Sequence, residues 1–420
     1  MCSSAPARKG KESDKHPEGG VSGEDGLPDT SQQTTDSHVL CEYCRKIEFD
    51  PERKFNFRSW NLGTISRIKQ SQCRFCKLLE LACIPGNSPE GEAESATITI
   101  YWAVEAGRGG RRALATRIET RESFIETNAI CLAAIPNLNP DHVDSPRPGC
   151  YLRLARSANI DLKFITDCLS KCSAQHGLEC NPSYSDPAFP RLNFLRVIDV
   201  NRCCVVEAPL DSRYVALSYV WGGTPCYKLT TTNETSLSQD GALERMVDDL
   251  TLPRTISDAM ALVRGLGAQY LWVDALCLIQ DNTKDLAAGI AVMDDIYERS
   301  WFTIIAAGGK DASFGLPGVQ SGSRSAAKLS HEIMPGLHLG IDITLESSLK
   351  HSVYSTRAWT LQEQLLSRRA LFFADDRVVF RCRQTEHSED HADAFGSALI
   401  ANGELSLPEA INMIDPMYDY

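Results

Sequence analysis

The sequence lacks several features that mark common classes of protein. None of the apolar runs in its 420 residues reaches membrane-spanning length. The first residues, MCSSAPARKGKESDKH, contain no apolar core of a secretory signal. The net charge is -12, so no global positive field favours nucleic acid. We therefore expect a cytoplasmic protein with no membrane span and no nucleic-acid partner.

Common ligand-binding and catalytic motifs are also absent. The sequence contains neither GxGxxG nor GxxxxGK[ST], which are the usual nucleotide-binding fingerprints. Histidine is scarce between residues 200 and 350, and the local sequence suggests no Ser-His-Asp triad. A ligand site therefore has to be sought from the expected fold and from individual side chains.

Cysteine, in contrast, is plentiful, with 16 residues. In a reducing compartment these residues are expected to bind metal or to pack rather than to form disulfides. Cys41 and Cys44 form one CxxC pair, and Cys73 and Cys76 form a second pair after an interval of 28 residues. Two such pairs complete a tetrahedral thiolate site, so we predict a structural zinc ion there. The alternatives are four buried free thiols, a redox pair, or ligation by Cys83 or His38.

A second group of cysteines lies on a predicted helix within residues 157–180. Cys168, Cys172 and His176 recur every four residues and therefore share one helix face, and Cys180 follows Gly177. We interpret this face as small-residue packing around a hydrogen-bonded histidine, because cysteine is among the most buried residue types. A second metal site is the alternative.

Changes in composition predict the domain organisation. The tail at residues 1–37 is polar and is expected to be disordered. A cysteine-rich mixed α+β module follows at 38–150, and a connector with a helix and strands at 151–212. We expect the main domain at 213–383 and a weakly structured tail at 384–420.

The main domain shows the alternation of a parallel α/β sheet with right-handed crossovers. Strands are predicted at 214–221, 270–278 and 301–307, with helices between them. Residues 311–350, rich in Gly and Ser, are expected to be an irregular insertion. Ligands of such sheets bind beyond the carboxyl ends of the strands. The residues predicted at two of these ends are Tyr219, Trp221, Gly222 and Gly223, and Asp274. Asp274 has an equally good explanation as a helix cap or turn residue.

The stretch from Tyr354 to Arg369 is predicted to be a helix that carries an unusual carboxylate. Trp359 and Glu363 are four residues apart and therefore share one face. A carboxylate beside a buried aromatic ring is either paired or functional. The pairing explanation would use Arg357, Arg368 or Arg369, and from these residues alone it is preferred.

Four ordered blocks resemble the fungal heterokaryon incompatibility (HET) domain. They are YVALSYVWGG, LPRTISDAMALVRGLGAQYLWVDALCLIQDN, MDDIYERSWFTIIAAGG and STRAWTLQEQLLSRR, across about residues 213–370. At 285–289 the chain has Asp-Leu-Ala-Ala-Gly, where the family usually has Asp-Trp followed by an acidic residue. The resemblance implies a role in non-self recognition and programmed cell death, through protein partners or self-assembly.

The HET family is in turn similar to Toll/interleukin-1 receptor (TIR) domains, which implies a flavodoxin-like sheet. Some TIR domains cleave NAD with a glutamate in a Trp-containing helix, so the resemblance gives Glu363 a catalytic role as the alternative function. Trp359, Tyr219 or Trp221 would then stack on a base. Gly222, Gly223 and Arg357 would contact phosphates, and Asp274 would lie beside the ligand.

Overall fold

The structure, a computed structural model, describes residues 40–392 and 397–398. Within this span the gaps are 50–57, 84–94, 106–110, 121–123, 127–128, 134–150, 183–188, 190–191, 224–226, 351, 358–362 and 393–396. The predicted disordered tail at 1–37 and most of the predicted tail at 384–420 therefore lie outside the described residues, as does Trp359. Among the described helices, none is long and apolar enough to cross a membrane.

The described strands, numbered in chain order, are β1 Ser59–Thr64, β2 Thr97–Glu105, β3 Arg111–Glu119, β4 Phe124–Glu126, β5 Ala129–Ala133, β6 Tyr151–Leu152, β7 Ala155–Arg156, β8 Leu195–Asp199, β9 Cys204–Ala208, β10 Tyr214–Tyr219, β11 Tyr270–Trp272, β12 Thr303–Ala306, β13 Ala327–Lys328, β14 Ser330–Met334, β15 Leu337–Asp342, β16 Arg369–Ala374, β17 Arg377–Cys382, β18 Thr385–Ser388 and β19 Ser397–Ala398.

The described helices are α1 Ile65–Gln70, α2 Arg74–Cys83, α3 Leu162–Gln175, α4 Gly177–Cys180, α5 Glu234–Leu237, α6 Ala242–Asp248, α7 Arg254–Gly265, α8 Asp274–Cys277, α9 Thr283–Ile290, α10 Met293–Arg299 and α11 Leu345–Lys350. Residues 363–366 are also helical.

One sheet contains the strands of the predicted cysteine-rich module. Its main path is β1-β2-β3-β5-β15-β14, with β4 beside β3 and β6 beside β5. Ile98 and Ile100 of β2 alternate with more polar residues, and both are buried in one core with Phe75 and Leu79 of α2. This alternation is the pattern of a strand with one face on a core. The predicted domain boundaries at 38, 150 and 213 stay predictions.

The prediction of an irregular insertion at 311–350 is wrong. β14 and β15 pair with each other as a hairpin, and β15 pairs with β5 across Leu339–Leu132 to Asp342–Ala129. The turn between them uses Gly336 with φ of +77°, a conformation that glycine adopts without steric cost. The alternation of apolar and polar residues is hard to recognise in these two strands, because they are short and contain glycine and histidine. Segments distant in sequence thus complete the first sheet.

The second sheet has the order β19-β18-β17-β16-β12-β10-β11-β8-β9. The pairings β10–β11, β10–β12 and β12–β16 are parallel. The remaining pairings, β8–β9, β8–β11 and those from β16 to β19, are antiparallel. The predicted parallel sheet is therefore corrected to a mixed α/β sheet, because hairpins at both edges extend the parallel centre. β18 and β19 continue the pairing beyond residue 383, where the sequence predicted a weakly structured tail.

The centre of this sheet explains the apolar sequence of β10. All six residues of β10 are buried. A parallel strand with neighbours on both sides and covered faces takes such a continuous apolar sequence. β11, in contrast, ends at Trp272, two residues before Asp274, and α8 begins at Asp274. The predicted strand at 270–278 is therefore too long, because the chain turns into this short helix at the carboxyl edge.

Candidate functional site

Ser218 of β10 lies at the centre of a buried cluster of hydroxyl and carboxyl groups. Its hydroxyl donates to Oε2 of Glu363 and lies 2.6 Å from the hydroxyl of Tyr354. The Tyr297 hydroxyl of α10 is a further hydrogen-bond partner of Glu363. Glu363 is held by hydroxyl donors, an environment that favours the ionised carboxylate.

Asp274 forms the second carboxyl of the site, at the start of α8. The indole Nε1 of Trp221 lies 2.9 Å from Oδ2 of Asp274, and the backbone N–H of Ala275 lies 2.7 Å from Oδ1. Asp274 thus accepts from a backbone N–H at the helix start, as the cap or turn explanation expects. Its role beside a ligand stays a prediction.

Burial and charge change the acidity of both carboxyls. Burial, and then the charge of Glu363, raise the pKa of Asp274 to about 7. Burial also raises the pKa of Glu363, while the Ser218 hydrogen bond, the charge of Arg357 and the Tyr297 hydrogen bond oppose this rise. Burial and the charge of Glu363 thus keep Asp274 partly protonated near neutral pH.

Two cations lie beside the acidic groups. The guanidinium Nη1 of Arg357 donates to the carbonyl of Tyr219 at 2.8 Å, and its charge lowers the pKa of both Asp274 and Glu363. The ammonium of Lys228 lies 4.8 Å from the ring centroid of Trp221. The half-buried indole of Trp221 has the Lys228 cation over its ring and the Asp274 carboxylate at its edge. This amphipathic surface suits a polar aromatic ligand.

The glycines after β10 differ in what they require. Gly222 has φ of +73°, and a Cβ there would lie 2.2 Å from Cβ of Asp311. Gly223 has open space where its Cβ would be. Gly222 therefore permits a close backbone approach, whereas a phosphate contact by either residue stays a prediction.

The structure brings most of the predicted ligand-site residues to one place. Trp221, Asp274, Arg357 and Glu363 are linked through the contacts above. Tyr219 takes part through its carbonyl, while its side chain is only 3% exposed and belongs to the core, so it is poorly placed for stacking. Arg368 and Arg369, the other predicted partners of Glu363, instead contact Glu298 and Asn181.

The sequence did not reveal Tyr297 and Tyr354 as site residues. Tyrosine within a predicted helix is usually a core residue, and both side chains are indeed buried. Burial and the charge of Glu363 raise the pKa of each tyrosine, so both hydroxyls stay protonated. Tyr354 opens the same segment as Glu363, which is the one signal that points to it.

Residues 285–289 have a structural role. Oδ1 and Oδ2 of Asp285 each accept from Arg196 Nη1 at 3.1 Å, and Oδ2 accepts from the Ile279 N–H at 2.7 Å. A Cβ at Gly289 would lie 2.2 Å from Cδ2 of Leu278. This segment thus anchors the chain beside α8.

The two CxxC pairs form a separate cluster in the first core. The Sγ atoms of Cys41, Cys44, Cys73 and Cys76 all lie within 4.8 Å of one another, and the group can hold a metal ion. Sulfur separations are 3.5 Å for Cys41–Cys44, 3.8 Å for Cys41–Cys76 and 3.7 Å for Cys44–Cys76. A tetrahedral ion with metal–sulfur bonds of ~2.3 Å needs edges of about 3.8 Å. The donor set therefore fits zinc in type and in spacing.

A second cluster joins Cys172, His176 and Cys180 to Cys382 of β17. The sequence predicts packing for the face of Cys168, Cys172 and His176, with a second metal site as the alternative. Nothing in the sequence points to Cys382, which lies 206 residues after His176. Cys168 is buried on the same helix but does not belong to the cluster.

The fold and the site define a mixed α/β domain with a buried acidic cluster beside its central strands. Residues 214–363 match the family model described as Heterokaryon incompatibility protein (HET), and this range includes every residue of the cluster. Residues 214–363 of this chain are therefore similar to the HET domain.

One curated relative is Heterokaryon incompatibility protein 6, OR allele, from Neurospora crassa, which is 28% identical over 111 residues. The match covers 24% of this chain and 16% of the relative. The chain therefore matches less than a fifth of the relative's length. No solved structure matches the chain significantly.

Proposed function

We propose that this chain acts in fungal heterokaryon incompatibility, as a module in non-self recognition and the programmed cell death that follows. The observation that carries the proposal is the HET family match across residues 214–363, which contains the whole buried cluster. The name of the Neurospora crassa relative supports the same process. In this proposal the protein acts in the cytoplasm, through protein partners or through copies of itself.

A cell assay tests this role. The full chain is expressed under an inducible promoter in a filamentous fungus, and the viability of cells fused with a strain of the same or a different genotype is scored. We expect death in one combination of genotypes and survival in the other. Equal survival in every combination, with the protein present at matched levels, would overturn the role.

The finer proposal for the fold is a TIR-like, flavodoxin-like sheet at the centre of the domain. In space the parallel strands run β11-β10-β12-β16, which is second, first, third and fourth in chain order. This arrangement supports the proposal because flavodoxin-like sheets use the order 2-1-3-4-5. Their ligands bind beside the first and third strands, at the point where the crossovers change direction. The corresponding pair here is β10 and β12.

One observation favours a second candidate function, NAD glycohydrolase activity: Ser218, Trp221 and Asp274 all lie near that point, with Glu363 against Ser218. Hydrolysis would break the bond between nicotinamide and ribose, and water would supply the hydroxyl of ADP-ribose and release one proton. Nicotinamide leaves as a neutral group, so no general acid is needed. The Glu363 carboxylate would bind ribose hydroxyls and stabilise the positive charge that develops on the sugar.

The other residues of the cluster have matching roles in this candidate mechanism. Asp274, with a pKa of about 7, would accept the proton of the attacking water. Trp221 would stack on one base, and Trp359, which lies outside the described residues, is the candidate that the sequence offers for the other. Arg357 and the backbone at Gly222 and Gly223 would bind the phosphates.

Incubation of the purified full chain with NAD, followed by measurement of nicotinamide release, tests the activity. Glu363→Gln keeps the size of the side chain, and we expect it to lower turnover at least about 100-fold, the scale of losing one stabilising group. Glu244→Gln, at an exposed position of α6, is the matched control and should keep full activity. Turnover that is absent from wild type, or equal in both variants, would eliminate the enzymatic candidate.

The cell assay and the NAD assay together separate the two candidates. Cell death that persists in Glu363→Gln indicates a scaffold whose function lies in partner contacts. Cell death that is lost only in Glu363→Gln indicates that the carboxylate carries the signal.

We further propose that Cys41, Cys44, Cys73 and Cys76 hold a structural zinc ion in either case. Zinc content that is unchanged in Cys41→Ser and Cys73→Ser would contradict this proposal.

A further inference from the structure

The second cysteine cluster collects ligands from separate parts of the chain. Cys172 lies in the last turn of α3, His176 and Cys180 lie at the ends of α4, and Cys382 ends β17. Asp161 starts α3 by accepting from the N–H groups of Lys163 and Phe164, which fixes the helix that carries Cys172. Three elements thus converge on one point.

The four donor atoms have the spacing of a tetrahedral site. All of them lie within 4.8 Å of one another. Nδ1 of His176 lies 3.3 Å from Sγ of Cys382 and 4.0 Å from Sγ of Cys180. A tetrahedral zinc ion with ordinary Zn–S and Zn–N bonds gives sulfur–nitrogen edges of about 3.6 Å. The observed distances lie on either side of that value.

Other buried cysteines in the described part of the chain behave differently. Cys277 Sγ accepts from the N–H of Val273 at 3.2 Å, and Cys203 Sγ donates to the carbonyl of Val200 at 3.5 Å. Those thiols satisfy the backbone near them. Cys382 Sγ likewise accepts from the N–H of Thr385 at 3.3 Å, but the three sulfurs of the second cluster also face one another and one imidazole nitrogen. Simple packing does not require that arrangement.

A buried arginine balances the charge at this cluster. Nε of Arg369 donates to Sγ of Cys172 at 3.2 Å, and Arg369 is only 6% exposed. Three thiolates around a divalent ion leave one negative charge, which this guanidinium would offset. Arg67 contacts the first cluster in the same way, with 3.7 Å to Cys41 Sγ and 3.5 Å to Cys76 Sγ. Hydrogen-bond donors that contact the metal-ligating atoms are a regular part of metal sites.

We propose that Cys172, His176, Cys180 and Cys382 bind a second structural metal ion, with zinc as the ion that a ligand set of three thiolates and one imidazole selects. The ion joins α3 and α4 to β17 and fixes the segment that precedes β16. Arg368 donates to the carbonyl of Glu179 at 2.7 Å, and Arg383 donates to the carbonyl of Leu366 at 3.3 Å. The site thereby holds both ends of the short segment that follows Glu363.

Zinc content of the purified full chain tests the site. We expect two zinc ions per chain in wild type and one in Cys382→Ser. Cys168→Ser is the matched control, because Cys168 lies one turn before Cys172 in α3 and is equally buried. We expect it to retain both ions. Zinc content that stays unchanged in folded Cys382→Ser would overturn the proposal.

X-ray absorption at the zinc edge keeps the test decisive if Cys382→Ser fails to fold. Wild type should show sulfur and nitrogen neighbours in a ratio of seven to one, the average of the two clusters. The double variant Cys41→Ser/Cys73→Ser isolates the second site and should show three sulfurs and one nitrogen. A shell of sulfur alone in wild type, or no zinc in the double variant with the HET domain folded, would overturn the proposal.

Discussion

The hydroxyl of Ser218 donates a hydrogen bond to the carboxylate of Glu363, across 145 residues of sequence. Ser218 lies on β10, one of the parallel strands of the second sheet. Glu363 lies on the segment that leads into β16, which is separated from β10 by β12 alone. This contact joins two distant segments of the range that matches the HET family. It also opposes the rise that burial causes in the pKa of Glu363.

Removal of the Ser218 hydroxyl should weaken the domain and change the acidity of Glu363. Ser218→Ala deletes one of the hydrogen bonds that lower the pKa of Glu363, so that pKa should rise further. We expect a loss of about 1–3 kcal/mol in the free energy of unfolding, as for other buried polar partners. Urea unfolding measures the loss, and Ser236→Ala, at an exposed position of α5, should cost less than about 0.5 kcal/mol. Equal stability of the two variants would contradict the structural role.

Asp274 should make stability depend on pH between about 4 and 7. Its pKa is raised to about 7 in the folded protein, whereas an unfolded aspartate titrates near ~3.9. The folded state therefore binds the proton more tightly, and the stabilisation present below pH ~4 is lost as pH rises through 7. Asp274→Asn removes this penalty and still offers an oxygen to the N–H of Ala275. We expect it to exceed wild type by about 2–4 kcal/mol at pH 8 and to match it near pH 4.

Urea unfolding at several pH values checks this expectation. Asp281→Asn is a suitable control, because hydrogen bonds from Thr231 lower the pKa of exposed Asp281. This variant should not gain stability as pH rises. A stability difference between Asp274→Asn and wild type that is constant from pH 4 to 8 would show that Asp274 does not titrate in this range.

Gly222 and Gly223 form a matched pair of neighbouring sites. Gly222→Ala should destabilise the domain by about 1–3 kcal/mol, because its φ is +73° and the new Cβ would lie 2.2 Å from Cβ of Asp311. Gly223→Ala adds a methyl group to open space and should be nearly neutral. Thermal unfolding of both variants measures the difference. If Gly223→Ala were the more damaging, the close approach of Asp311 would not be the controlling contact.

Sequence reasoning succeeded where the chemistry is local. The CxxC spacing, the continuous apolar sequence of β10 and the ordered blocks around Glu363 each depend on residues near one another in the chain. Cys382 was missed because nothing near it in sequence indicates a ligand, and only the β16–β17 hairpin places it beside His176. Strands β14 and β15 were missed for a related reason. Their partner β5 lies about 200 residues earlier, so pairing rather than local pattern defines them.

Arg67 provides a sharp test of how the protein supports its first metal cluster. Its guanidinium donates to the sulfurs of Cys41 and Cys76, and its Nε donates to the carbonyl of Leu62 at 2.8 Å. The guanidinium also lies 4.2 Å from the ring centroid of Tyr43. Lysine keeps the positive charge but lacks the planar fork that makes these contacts together. Arg67→Lys should therefore weaken zinc binding by about 10–100-fold, as loss of a group that supports metal ligands usually does.

Competition with a chromophoric chelator measures that affinity. Arg45→Lys is the control, since Arg45 is exposed and lies directly after Cys44. It makes the same arginine-to-lysine change beside the cluster, at a side chain without a sulfur contact in the described structure. We expect Arg45→Lys to bind zinc as wild type does. If both variants bind equally well, charge alone supports the thiolates and the hydrogen-bond geometry of Arg67 does not. If Arg67→Lys loses affinity while its unfolding without zinc is unchanged, the arginine acts on the metal ligands themselves.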